Sequence, residues 1–241
     1  MPMTATANAS APHVGALLRG DPDTLRTWIE RWDARRFALC VFTIVIGAGL
    51  YGAAMGCWRA PLQGVFVAIK FPLIILLTTI GNALLNAMLA PLLGLSISVR
   101  QSLLAILVTF TIASAILGSF SPLAAFVVWN APVMSANGQS SGGTYSFIIV
   151  MHVLVIALAG ITANLRLLQL LRHLSGSAVT ARRVLVAWLA GNLFLGSQLS
   201  WILRPFIGSP VLPVEFLRKT AFQGNFYETL FHSFLRLFHA Q

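Results

Sequence analysis

"PLIILLTTIGNALLNAMLAPLLG", residues 72–94, decides the fold class, because this long apolar stretch contains no charged side chain. A helix needs roughly 20 consecutive apolar residues to cross the hydrocarbon core of a bilayer. Pro72–Gly94 is therefore predicted to be a membrane-spanning helix.

Similar stretches occur on both sides of this one. By the same criterion, further spans are predicted at Phe37–Met55, Ser102–Trp129, Tyr145–Leu165 and Val184–Leu203. Of the 241 residues, 57% are hydrophobic and 9% are charged, whereas soluble domains carry roughly 25% charged residues. The sequence thus predicts an all-α, polytopic integral membrane bundle of about five transmembrane helices over residues 37–203. The intervening segment 56–71 is amphipathic, and we expect it to be interfacial or re-entrant.

A polar N-terminal tail, residues 1–20, precedes an amphipathic stretch at 21–36, "DPDTLRTWIERWDARR". Asp21 is a suitable N-cap for a helix there. Apolar residues recur at helical spacing through Trp28 and Trp32, and arginines such as Arg35 and Arg36 accompany them. This combination predicts a helix lying in the membrane interface. A soluble helix that docks onto a partner is the alternative.

The C-terminal segment, residues 204–241, begins where the last span meets Arg204 and Pro205. We expect Arg204 to extend towards the lipid head groups and the following strip to run along the interface. A strip that folds back as a half-span is the alternative. Beyond it, Phe226, Phe231 and Phe234 share one helix face, which predicts a second interfacial helix. The protein is thus expected to carry an interfacial amphipathic helix at each end.

Orientation follows from the distribution of Lys and Arg. Loop 130–144 is uncharged, whereas arginines precede the first predicted span and occupy the loop before the fifth. We therefore expect the N-terminus to be cytoplasmic and loop 130–144 to be translocated. The net charge of +10 is scattered along helix ends, which favours anionic lipid head groups as partners and argues against nucleic acid.

Chemical groups are scarce within the predicted spans. No Asp or Glu occurs between Ala34 and Val214, and no recognised metal-ligand or phosphate-loop spacing is present. His152 is the one histidine inside a predicted span, and it has no carboxylate near it in sequence. We therefore predict that the protein is not an enzyme and has no catalytic residue, metal site or cofactor.

Amides are the main polar groups of the predicted spans. Asn82 and Asn86 lie four residues apart and so share a helix face, and Asn192 and Gln198 lie in the last span. Such residues commonly form hydrogen bonds between helices. Together with His152, they would alternatively line a polar site for a substrate or lipid head group.

Small residues recur at a spacing of four in three predicted spans. They are Ala48, Gly52 and Gly56; Ser114 and Gly118; and Ala187 and Gly191. Such spacing permits close helix approach, either within the bundle or against another subunit.

Two stretches resemble a known family. "SPLAAFVVW" (121–129) and "SQLSWILRPFIGSPVLPVEFLR" (197–218), followed by "GNFYETLF" (224–231), are similar to an uncharacterised bacterial branch of small Yip1-like membrane proteins. The resemblance implies a non-enzymatic role in membrane organisation and partner binding. It also implies a bacterial cytoplasmic membrane as the location.

The sequence therefore favours a non-catalytic accessory, scaffold or assembly subunit of a larger membrane complex, with a protein partner. The expected partner or lipid contacts are Trp28, Trp32, Arg35, Arg36, Arg204, Phe226, Phe231 and Phe234. The alternative is a small permease or lipid- or anion-handling transporter that uses the polar residues Asn82, Asn86, His152, Asn192 and Gln198.

Overall fold

A computed structural model describes residues 14–19, 22–30, 32–132, 142–208 and 213–228, and these residues form helices and no strand. Two short helices come first, α1 (Val14–Arg19) and α2 (Pro22–Glu30). The five long helices are α3 (Ala34–Cys57), α4 (Pro61–Leu92), α5 (Val99–Asn130), α6 (Gly142–Ser175) and α7 (Ala178–Ile202). Each of these five is long and apolar enough to cross a membrane, which confirms the predicted fold class.

The long helices form one bundle. Four of them form a ring, in which α5 contacts α4 and α6, and α7 contacts α6 and α4. Helix α3 packs along α4 and α5. Helix α5 is the most enclosed, since 56% of its most apolar stretch is buried, against 17% for α7 and 22% for α6. Among the described residues, α6 and α7 are therefore the long helices whose apolar stretches are least covered by protein.

Glycines allow the backbone of α3 to lie directly against the backbones of α4 and α5. A Cβ added at Gly52 would lie 2.7 Å from the carbonyl oxygen of Val67, and one at Gly56 would lie 2.6 Å from that of Gln63. On the other side of α3, a Cβ at Gly118 would lie 2.9 Å from the Cα of Gly47. Gly52, Gly56 and Gly118 therefore make close contacts within the bundle.

The second predicted span begins too late. Helix α4 starts at Pro61 and runs unbroken through Lys70 and Pro72, so residues 61–71 of the expected interfacial or re-entrant piece belong to a continuous helix. Pro72 removes the hydrogen bond to the carbonyl of Ala68. That carbonyl faces the backbone of α3, because a Cβ on Gly49 would lie 3.2 Å from its oxygen. The neighbouring helix thus shields the group that the proline frees.

Several helix ends also differ from the predictions. Helix α6 extends ten residues beyond the predicted end at Leu165, and α7 begins at Ala178 instead of Val184. Both extensions contain arginines. A hydropathy criterion ends a predicted span at such residues, but a helix can continue through them outside the hydrocarbon core. At the start of α7, the side chain of Ser177 caps the helix by accepting a hydrogen bond from Thr180 N.

The stretch predicted as one helix at 21–36 is divided in the structure. Helix α2 ends at Glu30, and α3 starts at Ala34 with Asp33 as its N-cap, so Arg35 and Arg36 belong to the first turn of α3. A new helix starts here because the Asp33 carboxylate caps it, accepting a hydrogen bond from Arg35 N at 2.9 Å. The predicted N-cap Asp21 lies outside the described residues.

Candidate functional site

An amide cluster joins α4 to α7. Asn82 and Asn86 are both fully buried on α4, and the Asn82 amide nitrogen donates a hydrogen bond to Oδ1 of Asn192 on α7. Gly191 makes room for this contact, because a Cβ there would lie 2.9 Å from Oδ1 of Asn82 and 3.9 Å from Oδ1 of Asn86. Three of the five predicted polar residues therefore lie at one helix interface.

The amide cluster has unused hydrogen-bonding capacity. Oδ1 of Asn82, both polar atoms of the Asn86 side chain and Oγ1 of Thr78 are buried and have no partner among the described residues. Buried polar atoms without a partner cost free energy. The cluster therefore connects two helices and contains donors and acceptors that no described residue uses.

The other two predicted polar residues lie elsewhere. His152 on α6 is buried, and its Nδ1 lies 2.8 Å from the hydroxyl oxygen of Tyr51 on α3. The two rings meet edge-on with centroids 5.4 Å apart. Gln198 accepts a hydrogen bond from the backbone nitrogen of Phe226 at 3.2 Å. His152 and Gln198 thus make their own contacts, away from the bond that joins the amides.

A second buried polar pair, Gln63 and Lys70 on α4, holds the segment that follows α7. Gln63 Nε2 donates to the carbonyl oxygens of Pro205 and Phe206 at 2.9 and 3.0 Å. Lys70 Nζ donates to the Pro205 carbonyl at 3.3 Å, and both side chains are almost completely buried. Residues 204–208 therefore turn back onto the bundle.

Aromatic contacts hold the later part of the same segment. The Phe216 ring lies edge-on to Phe66 with centroids 5.5 Å apart, and Lys70 Nζ lies 5.1 Å from the centre of the Phe216 ring. Sequence reasoning missed Gln63 and Lys70 as a site because it placed 56–71 at the interface. Their seven-residue spacing, two helical turns, is the signal that places them on one face.

Arg204 folds back on the end of α7. Its Nη1 donates to the carbonyl of Trp201 at 2.7 Å, and its Cζ lies 3.6 Å from the centre of the Trp201 ring. Burial lowers the pKa of the Arg204 guanidinium, and the positive charge of Arg218 lowers this pKa further. Arg204 also lines a cavity of about 470 Å³ that extends along α7 to Asn192.

The residues predicted to contact lipid or a partner have different environments. Trp28 is 6% exposed and belongs to the core, whereas Trp32 is 47% exposed. Arg35 is exposed, and the Arg36 guanidinium lies 5.5 Å from the centre of the Trp28 ring. Helices α1 and α2 pack on α5, and α2 also packs on α6, so the apolar side of α2 faces protein. Whether the other side of α2 meets lipid stays a prediction.

At the C-terminal end, Phe226 is half-buried and its ring lies edge-on to Tyr227, which stacks on Phe194 of α7. Phe231 and Phe234 lie outside the described residues, as does most of the predicted C-terminal helix.

Metal-binding groups do not gather anywhere in the part of the chain that the structure describes. Within it, no three His, Cys, Asp or Glu side chains approach closely enough to hold an ion. Cys40 is buried and Cys57 is exposed, and neither forms a disulfide.

Comparison with protein-family models, curated proteins and solved structures finds no match to this chain. The resemblance to Yip1-like proteins therefore stays a prediction. The class of protein rests on the fold, whose five apolar helices define an integral membrane protein.

The amide cluster generates a prediction that separates its two α4 members. Replacing Asn82 with Leu removes the hydrogen bond between α4 and α7, which is worth about 0.6–2 kcal/mol in a membrane. Replacing Asn86 with Leu removes polar atoms that have no partner, so we expect little loss or a small gain in stability. The measurement is the free energy of unfolding of each purified variant in mixed detergent micelles. Equal losses for the two variants would show that Asn86 also bonds to a neighbouring helix.

Proposed function

We propose that this integral membrane protein is a non-catalytic accessory, scaffold or assembly subunit that docks onto a transmembrane helix of a larger membrane complex. The observation that carries the proposal is Gly160 on α6, a glycine against which no described helix packs. Gly47, Gly52, Gly56 and Gly118 each face another helix backbone, whereas a Cβ added at Gly160 would meet no described residue within 4 Å.

The surroundings of Gly160 suit a second transmembrane helix. Ala157 and Ile161 beside it are exposed, and Asn164, one turn further on, donates to the Gly160 carbonyl at 2.8 Å. Oδ1 of Asn164 is buried and has no partner among the described residues, so it does not lie on the exposed side of α6. Transmembrane helices associate through small residues that permit close approach and through polar groups that bond across the interface. The α6 notch, which we define as Gly160 with the exposed Ala157 and Ile161 beside it, offers the first of these features.

A structural use for the ionisable groups within the spans supports a non-catalytic role. Lys70 is engaged by the Pro205 carbonyl and the Phe216 ring, and His152 by the Tyr51 hydroxyl. Each side chain therefore has a role in packing that requires no substrate.

We further propose a bacterial cytoplasmic membrane as the location, with the N-terminus in the cytoplasm. The end of the bundle that carries α1 and α2 also carries Arg35, Arg100, Arg172, Arg182 and Arg183, all exposed. Such a concentration of cations is typical of the cytoplasmic side. Anionic head groups on that side would be natural lipid partners.

The test is extraction of the protein from its native membrane in mild detergent, followed by sizing and quantitative mass spectrometry. We expect one partner protein at fixed stoichiometry. Gly160→Leu fills the α6 notch and is expected to weaken the complex by roughly 1–3 kcal/mol, where each 1.4 kcal/mol is about tenfold in affinity.

Gly143→Leu is the matched control, because Gly143 is on the same helix and a Cβ there also meets no described residue within 4 Å. It should retain the partner. A wild-type protein that migrates alone or as a homo-oligomer would contradict the subunit role. Equal retention of the partner by both leucine variants would move the docking surface away from Gly160.

A small permease or lipid- or anion-handling transporter is the second candidate. It is favoured by one observation, the unpartnered buried amide atoms beside Asn192, which itself lines the cavity along α7. This candidate requires the Asn86 amide for transport although it contributes little to stability.

For the transporter, we expect Asn86→Leu to abolish chloride or phosphate flux into liposomes that contain the purified protein. Because Asn86→Leu should leave the fold intact, loss of flux would report on transport itself. Flux equal to that of the wild type would reject an amide-lined path, and absence of wild-type flux would reject transport of these anions.

A further inference from the structure

The cavity at the end of α7 combines a cation with an apolar wall. Leu193, Phe206 and Phe226 supply apolar surface, and Gly196 and Ser200 leave the helix side open. Its volume of about 470 Å³ falls within the range of small-molecule pockets, roughly 300–1,000 Å³. The cavity is therefore large enough for part of a ligand and is mostly apolar in character.

The dimensions of the cavity match one leaflet of a bilayer. Its wall on α7 runs from Asn192 to Trp201, and nine helical steps of 1.5 Å give it a length of about 14 Å. Half of a typical hydrocarbon core is about 15 Å. Arg204, two residues beyond the end of α7, stands at the level where the head groups of that leaflet begin.

Three cations converge at this level. Lys70 Nζ lies 3.3 Å from the carbonyl oxygen of Pro205, the residue after Arg204. It also lies 5.1 Å from the centre of the Phe216 ring, two residues before Arg218. The positive charge of Arg218 acts on both Lys70 and Arg204. The ion pairs formed among the described residues join Arg26 to Glu30 and Arg36 to Asp33, at the other end of the bundle. No described carboxylate therefore lies within 4.0 Å of the three cations. Like charges held together in this way favour binding of an anion.

The guanidinium of Arg204 has donors to spare. One of its nitrogens donates to the Trp201 carbonyl, and its other N–H groups have no acceptor within the described residues. A guanidinium matches the geometry of a phosphate group, which accepts two parallel hydrogen bonds. The Trp201 ring beneath Arg204 and its backbone bond hold the side chain at the cavity end.

We infer that this cavity binds one anionic phospholipid, with its phosphate at Arg204 and Arg218 and one acyl chain along α7 between Leu193 and Phe226. Lys70, buried beneath Pro205 and Phe216, adds positive charge from below without contacting the lipid. A free phosphate ion would satisfy the arginines but would leave the apolar cavity without a role. The site lies on α7 and is independent of the proposed docking surface on α6.

The experiment is native mass spectrometry of the detergent-purified full chain with phosphatidylglycerol or phosphatidylcholine of the same acyl chains. We expect one phosphatidylglycerol to stay bound per chain under conditions that remove phosphatidylcholine. Arg204→Gln and Arg218→Gln should each reduce retention about fivefold, the usual contribution of one cation near anionic lipid. Lys219→Gln is the matched control, since it removes the same charge from an exposed neighbour and should have no effect.

A second pair of variants tests the acyl chain. Ser200→Leu fills the cavity and should lower phosphatidylglycerol retention with every charge in place. Ser119→Leu makes the same change at an exposed position of α5 and should leave retention unchanged. If Arg204→Gln fails to fold by size exclusion, Arg218→Gln and Ser200→Leu still decide the question.

Three results would overturn the inference. The first is equal retention of the two lipids by the wild-type protein. The second is an equal loss for Lys219→Gln, which would indicate diffuse attraction to the whole segment. The third is displacement of phosphatidylglycerol by millimolar inorganic phosphate, which would indicate a site for the free ion. Phosphatidylglycerol that stays bound in millimolar inorganic phosphate would support the lipid site.

Discussion

Backbone contact between α3 and its two neighbours is the constraint on which the rest of the bundle depends. In a bilayer, lipid tails surround a helix as favourably as another apolar helix does, so association needs close packing or hydrogen bonds. Gly47 and Gly118 bring α3 against α5, and Gly52 and Gly56 bring it against α4. With α4 and α5 positioned in this way, the ring formed with α6 and α7 can close.

Helix α4 carries the polar groups that extend this framework. Towards its start, Gln63 and Lys70 hold the carbonyls of the segment after α7, and nearer its end Asn82 bonds to α7 itself. Polar side chains are costly in hydrocarbon unless they have partners. Their positions along α4 therefore link the last helix and its C-terminal segment to the centre of the bundle. This linkage places Arg204 at the end of the cavity along α7.

Hydropathy predicted all five spans, because a run of apolar residues must be a helix when no water can satisfy its backbone. It placed the start of α4 eleven residues late, at Pro72 instead of Pro61. Lys70 and Pro72 interrupt the apolar pattern, and only the packing of Ala68 against Gly49 shows why the helix continues. Helix ends beyond the hydrocarbon core, such as that of α6, carry arginines and escape the same criterion.

Side-chain pairing was harder to predict. The four-residue spacing indicated that Asn82 and Asn86 share a face, but the sequence did not show that the face meets Gly191 and Asn192. His152 bonds to Tyr51, which is 101 positions away in the chain, and no local pattern predicts such a contact. Periodicity likewise predicted the apolar face of the N-terminal helix, but it does not distinguish burial against lipid from the observed burial of Trp28 against protein.

The central claim is that the chain crosses the membrane five times, which leaves α1 and the segment after α7 on opposite sides. The direct measurement uses single cysteines at Gly15 and Thr220, both exposed, in a Cys57→Ser background that retains the buried Cys40. Intact cells are treated with a membrane-impermeant maleimide before and after permeabilisation. With five crossings, one site is labelled in intact cells and the other only after permeabilisation. Labelling of both sites under the same condition would require an even number of spans and would contradict the claim.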